Sequence, residues 1–314
     1  MTDLGIVASG VRRSFGAVHA VRDVNLNARV GAVTGLVGPN GSGKTTLLLM
    51  LASLLAPDAG TIRIGGIDPV DDPAAARAIL GWMPDALGAW PSLTARETLV
   101  MTSRLYGIDQ EQALGGAARL LDEVGLTNLA DAPARVLSRG QKQRLGLARA
   151  LVHDPRVLLL DEPASGLDPQ ARIDLRILLR RLAAEGRTVL ISSHILSELE
   201  EVVDDAVFLV EGATVSSDRV AAAATRRRTW RLRLADREAT AAVVPVAQAL
   251  GLDAALIPID RRDLLVAFTS DADAASALAA LVAAGLPVAE FAAATGMLEH
   301  TFLDLELDPE GDRS

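Results

Sequence analysis

The chain contains no cysteine among its 314 residues, which excludes a disulfide framework, a thiolate metal site and a cysteine nucleophile. The absence fits a reducing compartment, so we expect a cytoplasmic protein. Lysine is scarce as well, because the chain has 31 Lys and Arg residues and only Lys44 and Lys142 are lysines. A compact ammonium group is not interchangeable with the planar guanidinium group of arginine, so a lysine at position 44 of a chain that otherwise uses arginine indicates a specific role.

Long apolar runs are missing too. Mean hydropathy is +0.28, yet stretches such as residues 47–52 and 157–160 are far shorter than the ~20 residues that span a bilayer. Residues 1–13 do not combine a basic start with an apolar core, so we expect no signal peptide. A net charge of −9 disfavours a nucleic-acid partner, because phosphate backbones require a basic face. If the protein works at a membrane, another chain must supply the spanning helices.

Residues 1 to about 215 alternate short apolar runs with longer helical patterns, which predicts an α/β domain. Residues 33–37 are a strand candidate, and residues 157–160 and 188–192 are typical of strands buried on both faces of a parallel sheet. Leu, Val and Ala recur at helical spacing from about residue 92 to 136, and we place a helical subdomain at about residues 86–150.

The pattern changes in the last third of the chain. Residues 216–229, an alanine run followed by arginines, are a candidate linker, and residues 230–314 form a candidate second domain. Two apolar runs, 254–259 and 264–268, read as strands on either side of the turn-like residues 260–263. Residues 230–234 and 286–291 are further strand candidates, and helical patterns follow the first of them up to residue 250 and occupy residues 271–284. The order β-α-β-β-α-β predicts a ferredoxin-like α+β unit.

A complete phosphate-binding motif, G-x-x-x-x-G-K-[ST], occupies residues 38–45, between a strand candidate and an apolar helix. Glycines let backbone N–H groups approach a phosphate, and the start of the helix adds positive potential. Lys44 can reach the β- and γ-phosphates, and the Thr45 hydroxyl suits Mg²⁺. The alternative is a glycine-rich turn before a core helix. We assign nucleotide contacts to Gly38, Pro39, Asn40, Gly41, Ser42, Gly43, Lys44, Thr45 and Thr46.

Two carboxylates, Asp161 and Glu162, directly follow the apolar residues 157–160. Carboxyl ends of strands are where α/β sheets bind ligands. Asp161 is suited to hold Mg²⁺, and Glu162, pointing to the other side of the strand, is suited to polarise an attacking water. Alone, such a pair is more often a helix cap or a turn. The phosphate loop favours the catalytic interpretation.

Further motifs make the chain resemble the ATP-binding cassette (ABC) family. Residues 137–141, LSRGQ, resemble the signature LSGGQ, and residues 165–168 are similar to the D-loop. His194 matches the switch histidine, and Phe15 matches the aromatic residue that stacks on adenine. The resemblance covers residues 1–215. It implies a P-loop NTPase fold, ATP and Mg²⁺ as cofactors, and a second ATP-binding subunit, which we expect to be a second copy of this chain.

The resemblance also implies roles for individual residues. His194 and Lys44 would join Glu162 in catalysis, and the start of the signature helix would meet the γ-phosphate held by the opposite subunit. We expect Ser138 to cap that helix. The nucleotide contacts implied at the signature and the D-loop are Ser138, Gly140, Gln141 and Asp168.

Two positions depart from the family pattern. Arg139 stands where the family usually has a second glycine, and it adds bulk and positive charge beside a phosphate site. Asp85 stands where the family typically has glutamine near the metal. A carboxylate is shorter than glutamine but can ligate Mg²⁺, so we include Asp85 among the metal and nucleotide contacts.

A partner surface is indicated by aromatic residues, which are only 3% of the chain. Trp82, Trp90 and Tyr106 lie close together in sequence, and in the family this region receives a helix of the membrane permease. The alternative is that they anchor the core of the helical subdomain.

The C-terminal residues 297–305 resemble the end of multidrug and antibiotic exporter cassettes. We therefore expect an ATPase subunit that powers export through a separate permease, bound peripherally at the cytoplasmic face of the membrane. One alternative is a soluble ABC-type ATPase acting on DNA or ribosomes. The unbroken cassette, present once, disfavours it. Another alternative is a non-catalytic interaction protein, which the complete phosphate loop disfavours.

Overall fold

The computed structural model of the protein describes residues 4–86, 88, 91–224, 227–236 and 238–307. The chain divides into two compact units, Met1–Val215 and Ser216–Ser314. Among the helices within the described residues, none combines the length and the apolar character of a membrane span.

The first unit alternates strands and helices. Its strands are β1 (Leu4–Phe15), β2 (Val18–Arg29), β3 (Val33–Val37), β4 (Ala59–Ile64), β5 (Leu80–Met83), β6 (Val157–Asp161), β7 (Thr188–Ser193), β8 (Asp205–Val210) and β9 (Ala213–Thr214). Its helices are α1 (Lys44–Leu51), α2 (Pro73–Ile79), α3 (Ala95–Leu105), α4 (Gln110–Glu123), α5 (Arg139–Ala150), α6 (Pro169–Ala184) and α7 (Leu196–Glu200). Short 3₁₀ turns, Thr127–Leu129 and Ala134–Val136, lie between α4 and α5.

The strands of the first unit form one sheet in the order β4-β1-β2-β9-β8-β3-β7-β6-β5. Strands β3, β7, β6 and β5 are parallel neighbours, and every residue of β3, β6 and β7 is buried. Burial on both faces explains why apolar residues predominate in these strands and do not alternate with charged ones. Because β7 lies between β3 and β6, the segments that leave the carboxyl ends of all three meet at one edge of the sheet.

The second unit contains α8 (Ser217–Ala224), β10 (Arg228–Leu234), α9 (Ala239–Leu250), β11 (Ile259–Asp260), β12 (Asp263–Phe268), α10 (Asp271–Ala283), β13 (Val288–Ala293) and α11 (Met297–Leu307). Its sheet has the order β11-β12-β10-β13, and all neighbouring strands are antiparallel. From β10 to β13 the element order is the β-α-β-β-α-β of a ferredoxin-like unit. Leu232 and Leu234 on β10 are buried in the core of this unit, which α9 also lines.

Two sequence expectations for the second unit need correction. Residues 216–229, the candidate linker, contain helix α8 and the start of β10, because the alanine run favours a helix and α8 packs against α11. The apolar run 254–259 is mostly not a strand. Asp253 caps a 3₁₀ turn at Ala254–Leu256, and Pro258 has no N–H for a ladder, so pairing begins only at Ile259.

Candidate nucleotide-binding and catalytic site

The phosphate loop joins β3 to α1. Helix α1 begins at Lys44, with Gly43 as its N-cap, and within these described residues no side chain caps the helix and no acid lies in its first turn. The first N–H groups of α1 are therefore available to an anion. Asn40, Gly41 and Thr45 are exposed, whereas Pro39, Gly43 and Thr46 are half-buried.

The Lys44 ammonium group lies within the loop. Its Nζ donates to the carbonyl oxygens of Gly38 at 2.6 Å and Pro39 at 3.0 Å, and the residue is 7% exposed. Burial lowers the pKa of Lys44, while the negative charges of Glu162 and Asp161 oppose that shift. A flexible cation held by two carbonyl groups can transfer its hydrogen bonds to phosphate oxygens.

Side-chain oxygen atoms from α1, β6 and β7 lie together beside Lys44. Thr45 Oγ1 lies 3.1 Å from Asp161 Oδ2, and Ser192 Oγ donates to Asp161 Oδ1 at 2.6 Å. The register of β6 and β7 pairs Asp161 with Ser192, which sets this contact. A hydroxyl and a carboxylate, completed by substrate oxygens and water, are the donor set that Mg²⁺ prefers.

The loop residues also fit a bound phosphate group. Ser42 is 3% exposed, and among the described residues its Oγ is buried without a hydrogen-bond partner. A buried hydroxyl without a partner is costly, and an additional acceptor such as a phosphate oxygen would remove that cost. Together with the uncapped start of α1, this atom argues that the loop is shaped for a triphosphate.

Asp85 is exposed at the bend that follows β5. Across the described ranges there is no cluster of three or more His, Asp or Glu side chains that could hold a metal alone. A site built from Thr45, Asp161 and phosphate oxygens needs no such cluster. The assignment of Asp85 to the metal therefore stays a prediction.

Glu162, the catalytic candidate, adopts a left-handed backbone conformation with φ of +52°. For a residue other than glycine this conformation costs on the order of 1–3 kcal/mol, and such strain is concentrated at functional sites. Glu162 Oε2 accepts a hydrogen bond from His194 Nδ1 at 2.8 Å. His194 itself follows β7, so β6 and β7 bring the pair together.

Burial raises the pKa of Glu162, although the hydrogen bond and charge of His194 and the charge of Lys44 oppose the shift. A carboxylate with a raised pKa is a stronger base, which suits it to accept a proton from water. The side chain remains 15% exposed, so solvent can reach it.

The signature residues shape the start of α5. Ser138 is the N-cap and forms a full capping box: its Oγ accepts from Gln141 N, and Gln141 Oε1 accepts from Ser138 N. A Cβ on Gly140 would lie 2.8 Å from the carbonyl oxygen of Gly166, so a larger residue does not fit. The expected cap at Ser138 is confirmed. Within the described residues, none of these hydrogen bonds joins the signature to the phosphate loop of the same chain.

The surroundings of two further predicted positions, Phe15 and Asp168, are well defined. Phe15 ends β1, is 49% exposed, and has the guanidinium carbon of Arg13 at 5.0 Å from its ring centre. Asp168 is the N-cap of α6, where its side chain accepts from Ala171 N. Stacking of Phe15 on adenine and a nucleotide contact of Asp168 stay predictions.

The aromatic residues of the predicted partner surface differ in their burial. Trp82 packs against the core of the first unit, which favours the core alternative for this residue. Tyr106 is 42% exposed and stacks on His153, with ring centres 3.7 Å apart. Trp90 lies outside the described residues.

Two residues at the site were not predicted from the sequence. Ser192 bonds Asp161 and also accepts from Glu162 N, and Gln143 donates to the Glu162 carbonyl oxygen at 2.8 Å. A polar residue inside the buried run 188–192 was the available signal for Ser192. For Gln143 the signal was its helical spacing from Gly140, which places both on one side of α5.

Comparison with known proteins agrees with this geometry. The ABC transporter family model matches residues 21–165. Nod factor export ATP-binding protein I of Burkholderia orbicola (strain AU 1054) is 44% identical over 207 residues, covering 66% of this chain and 68% of that protein. The ABC transporter ATP-binding protein NatA of Bacillus subtilis (strain 168) is 36% identical over 199 residues, covering 63% of this chain and 81% of that protein.

Solved structures show the same architecture. A dimeric ATP-binding cassette in a post-hydrolysis state, bound to ADP and Pi, has a TM-score of 0.63 and 27% identity, covering 67% of this chain and 97% of that one. The fold, the phosphate loop and the relatives therefore agree: the chain belongs to the ABC transporter family, as an ATP-binding and ATP-hydrolysing subunit.

Proposed function

We propose that this subunit forms a homodimer around Mg²⁺-ATP and powers export through a separate membrane permease. The observation that carries the proposal is the meeting of Lys44, Thr45, Asp161 and Glu162 at the carboxyl ends of β3 and β6, with His194 on Glu162. This edge of the sheet combines a cation, metal-binding oxygens and a base within one site.

Each residue of the site has a distinct role in ATP hydrolysis. The N–H groups at the start of α1 and the Lys44 ammonium would hold the phosphates, and Thr45 and Asp161 would hold Mg²⁺. When bound, Mg²⁺ neutralises charge on the phosphate oxygens. Glu162 accepts a proton from the attacking water at its carboxylate, and His194 Nδ1 holds that carboxylate in place. Catalysis of this kind is mainly positioning and charge stabilisation.

The signature helix supports dimerisation. Ser138, Gly140 and Gln141 shape a helix start whose hydrogen bonds, among the described residues, do not reach the phosphate loop of the same chain, which leaves it available to a nucleotide held by a second subunit. The solved cassette described above is dimeric, which supports this arrangement.

The relatives support export as the direction of transport. Several related proteins are Nod factor export proteins, and another is a probable multidrug ABC transporter ATP-binding protein. The exposed Tyr106 remains our candidate contact for the permease, and attachment to the permease would place the subunit at the inner face of the membrane.

The proposal is tested with Glu162→Gln, which keeps the side-chain volume and removes the base. We expect Mg²⁺-dependent phosphate release to fall by about 10²–10⁴-fold, the range for loss of a general base, while ATP affinity is retained. With ATP the variant should become a dimer in light scattering, and with ADP it should stay a monomer. Chelation of Mg²⁺ should stop phosphate release by the unmodified protein.

The matched control is Glu111→Gln, an exposed carboxylate in the first turn of α4, which should hydrolyse ATP normally. Normal turnover by Glu162→Gln would contradict Glu162 as the base. A monomer under all nucleotide conditions would contradict ATP-driven dimerisation.

A further inference from the structure

A buried glutamine links the signature helix to the catalytic residue of the same subunit. Gln143 lies on α5, five residues after its N-cap Ser138, and is 4% exposed. Its Nε2 donates to the backbone carbonyl oxygen of Glu162 at 2.8 Å. The helix that begins with the signature therefore also contacts the peptide group of the proposed base.

The backbone of Glu162 is held on both sides. Its N–H donates to Ser192 Oγ at 3.1 Å, from β7, and its carbonyl oxygen accepts from Gln143 Nε2, from α5, and from the N–H of Ser165 at 3.1 Å. Between these hydrogen bonds the residue keeps its left-handed φ of +52°. A strained conformation persists only where its surroundings determine it, so these contacts bear on where the carboxylate points.

Other contacts join the segment that follows Glu162 to the start of α5. Arg139 Nη2 donates to Ser165 Oγ at 2.6 Å, and a Cβ on Gly166 would lie 2.8 Å from Arg139 Cδ. Gly140 in turn lies close to the carbonyl oxygen of Gly166. The start of α5 and the segment that follows Glu162 therefore form one continuous contact surface.

We propose that Gln143 is a positioning residue for hydrolysis, which holds the Glu162 backbone so that the carboxylate meets His194 and the attacking water. The inference rests on the proposed role of Glu162 as the base. Without the Gln143 donor, the Glu162 carbonyl keeps only the local hydrogen bond from the N–H of Ser165 and loses its link to α5, so the residue relaxes toward a common backbone conformation and the carboxylate leaves its position. Nucleotide binding, which uses the phosphate loop, is unaffected.

The test is Gln143→Met, which keeps the length of the side chain and removes the N–H donor. We expect kcat for ATP hydrolysis to fall about tenfold, which corresponds to about 1.4 kcal/mol, with KM changed less than about twofold. In the Glu162→Gln background the same substitution should cause no further loss, because Gln143 acts through Glu162. Gln248→Met, an exposed position on α9, is the matched control and should leave both constants unchanged.

A second variant, Gln143→Leu, also lacks the N–H donor and has a shorter side chain, and it tests the same hydrogen bond if the methionine variant does not fold. An unchanged kcat, or a loss of the same size in the Glu162→Gln background, would overturn the role of Gln143. If Glu162→Gln itself turned over normally, the proposed base would be wrong. If Glu162→Gln is inactive while Gln143→Met is unimpaired, only the role of Gln143 fails.

Discussion

Gly38 and Gly41 both belong to the phosphate loop, yet the structure gives each a different reason to lack a side chain. A Cβ on Gly38 would lie 2.3 Å from the Leu209 carbonyl oxygen and 2.6 Å from Ser42 Oγ. Gly41 has open space around it, with no atom within 4 Å of such a Cβ, but its φ is +82°. Space is therefore the constraint at Gly38, and backbone conformation is the constraint at Gly41.

Substitution by alanine and by asparagine separates the two constraints. At Gly38, alanine must displace the backbone of β8 or the Ser42 side chain, and overpacking of this kind costs about 1–3 kcal/mol. Asparagine is larger and should cost more. At Gly41, alanine in a left-handed conformation costs about 1–2 kcal/mol, whereas asparagine adopts that conformation more readily and should cost less. The order of the two variants is therefore expected to reverse between the two positions.

Urea unfolding of the nucleotide-free full chain measures this order from the shift in midpoint at constant slope. Titration with a fluorescent ATP analogue then gives the affinity of each folded variant. We expect Gly38→Ala to lose affinity as well, because Ser42 lines the loop. The same order of alanine and asparagine at both positions would refute the reasoning, and so would a Gly38→Ala variant as stable as the original.

Two further predictions concern a helix cap and an ion pair. Ser138→Ala and Thr94→Ala each remove a full capping box, from α5 and α3, and each should lower the free energy of unfolding in urea by about 1 kcal/mol. Only Ser138→Ala should weaken ATP-driven dimerisation in light scattering. Equal effects of the two variants on dimerisation would contradict the role of the signature. Burial opposes ionisation of Asp204, but hydrogen bonds from Val33 N and Arg180 hold its pKa below the usual value. The stabilisation of the fold by ionised Asp204 is therefore present above a pH of about 4 and lost as pH falls through the lowered pKa. At pH 7 Asp204→Asn should be about 1 kcal/mol less stable than the original protein, and this difference should shrink on acidification. A difference in stability that does not depend on pH would contradict this.

Short-range patterns could be predicted from the sequence because neighbouring residues carry them. The phosphate loop occupies consecutive residues, and the acidic pair follows its strand directly, so Lys44, Asp161 and Glu162 were identifiable before any fold was known. Strands β3 and β6 were predictable for the same reason, since full burial produces short segments in which apolar residues predominate. Residues 254–259 show the limit, because hydrophobicity alone does not distinguish a strand from a capped 3₁₀ turn.

The tertiary structure alone decided how these pieces meet. Strand order placed β7 between β3 and β6, which set Ser192 against Asp161 and His194 against Glu162, pairs that are 31 and 32 positions apart in the chain. The left-handed backbone of Glu162 and its hydrogen bond from Gln143 depend on packing between α5 and the loop after β6. By itself the sequence determined which chemical groups the protein carries. Their distances and strain depend on contacts between segments far apart in the chain, and such contacts leave no regular pattern among neighbouring residues.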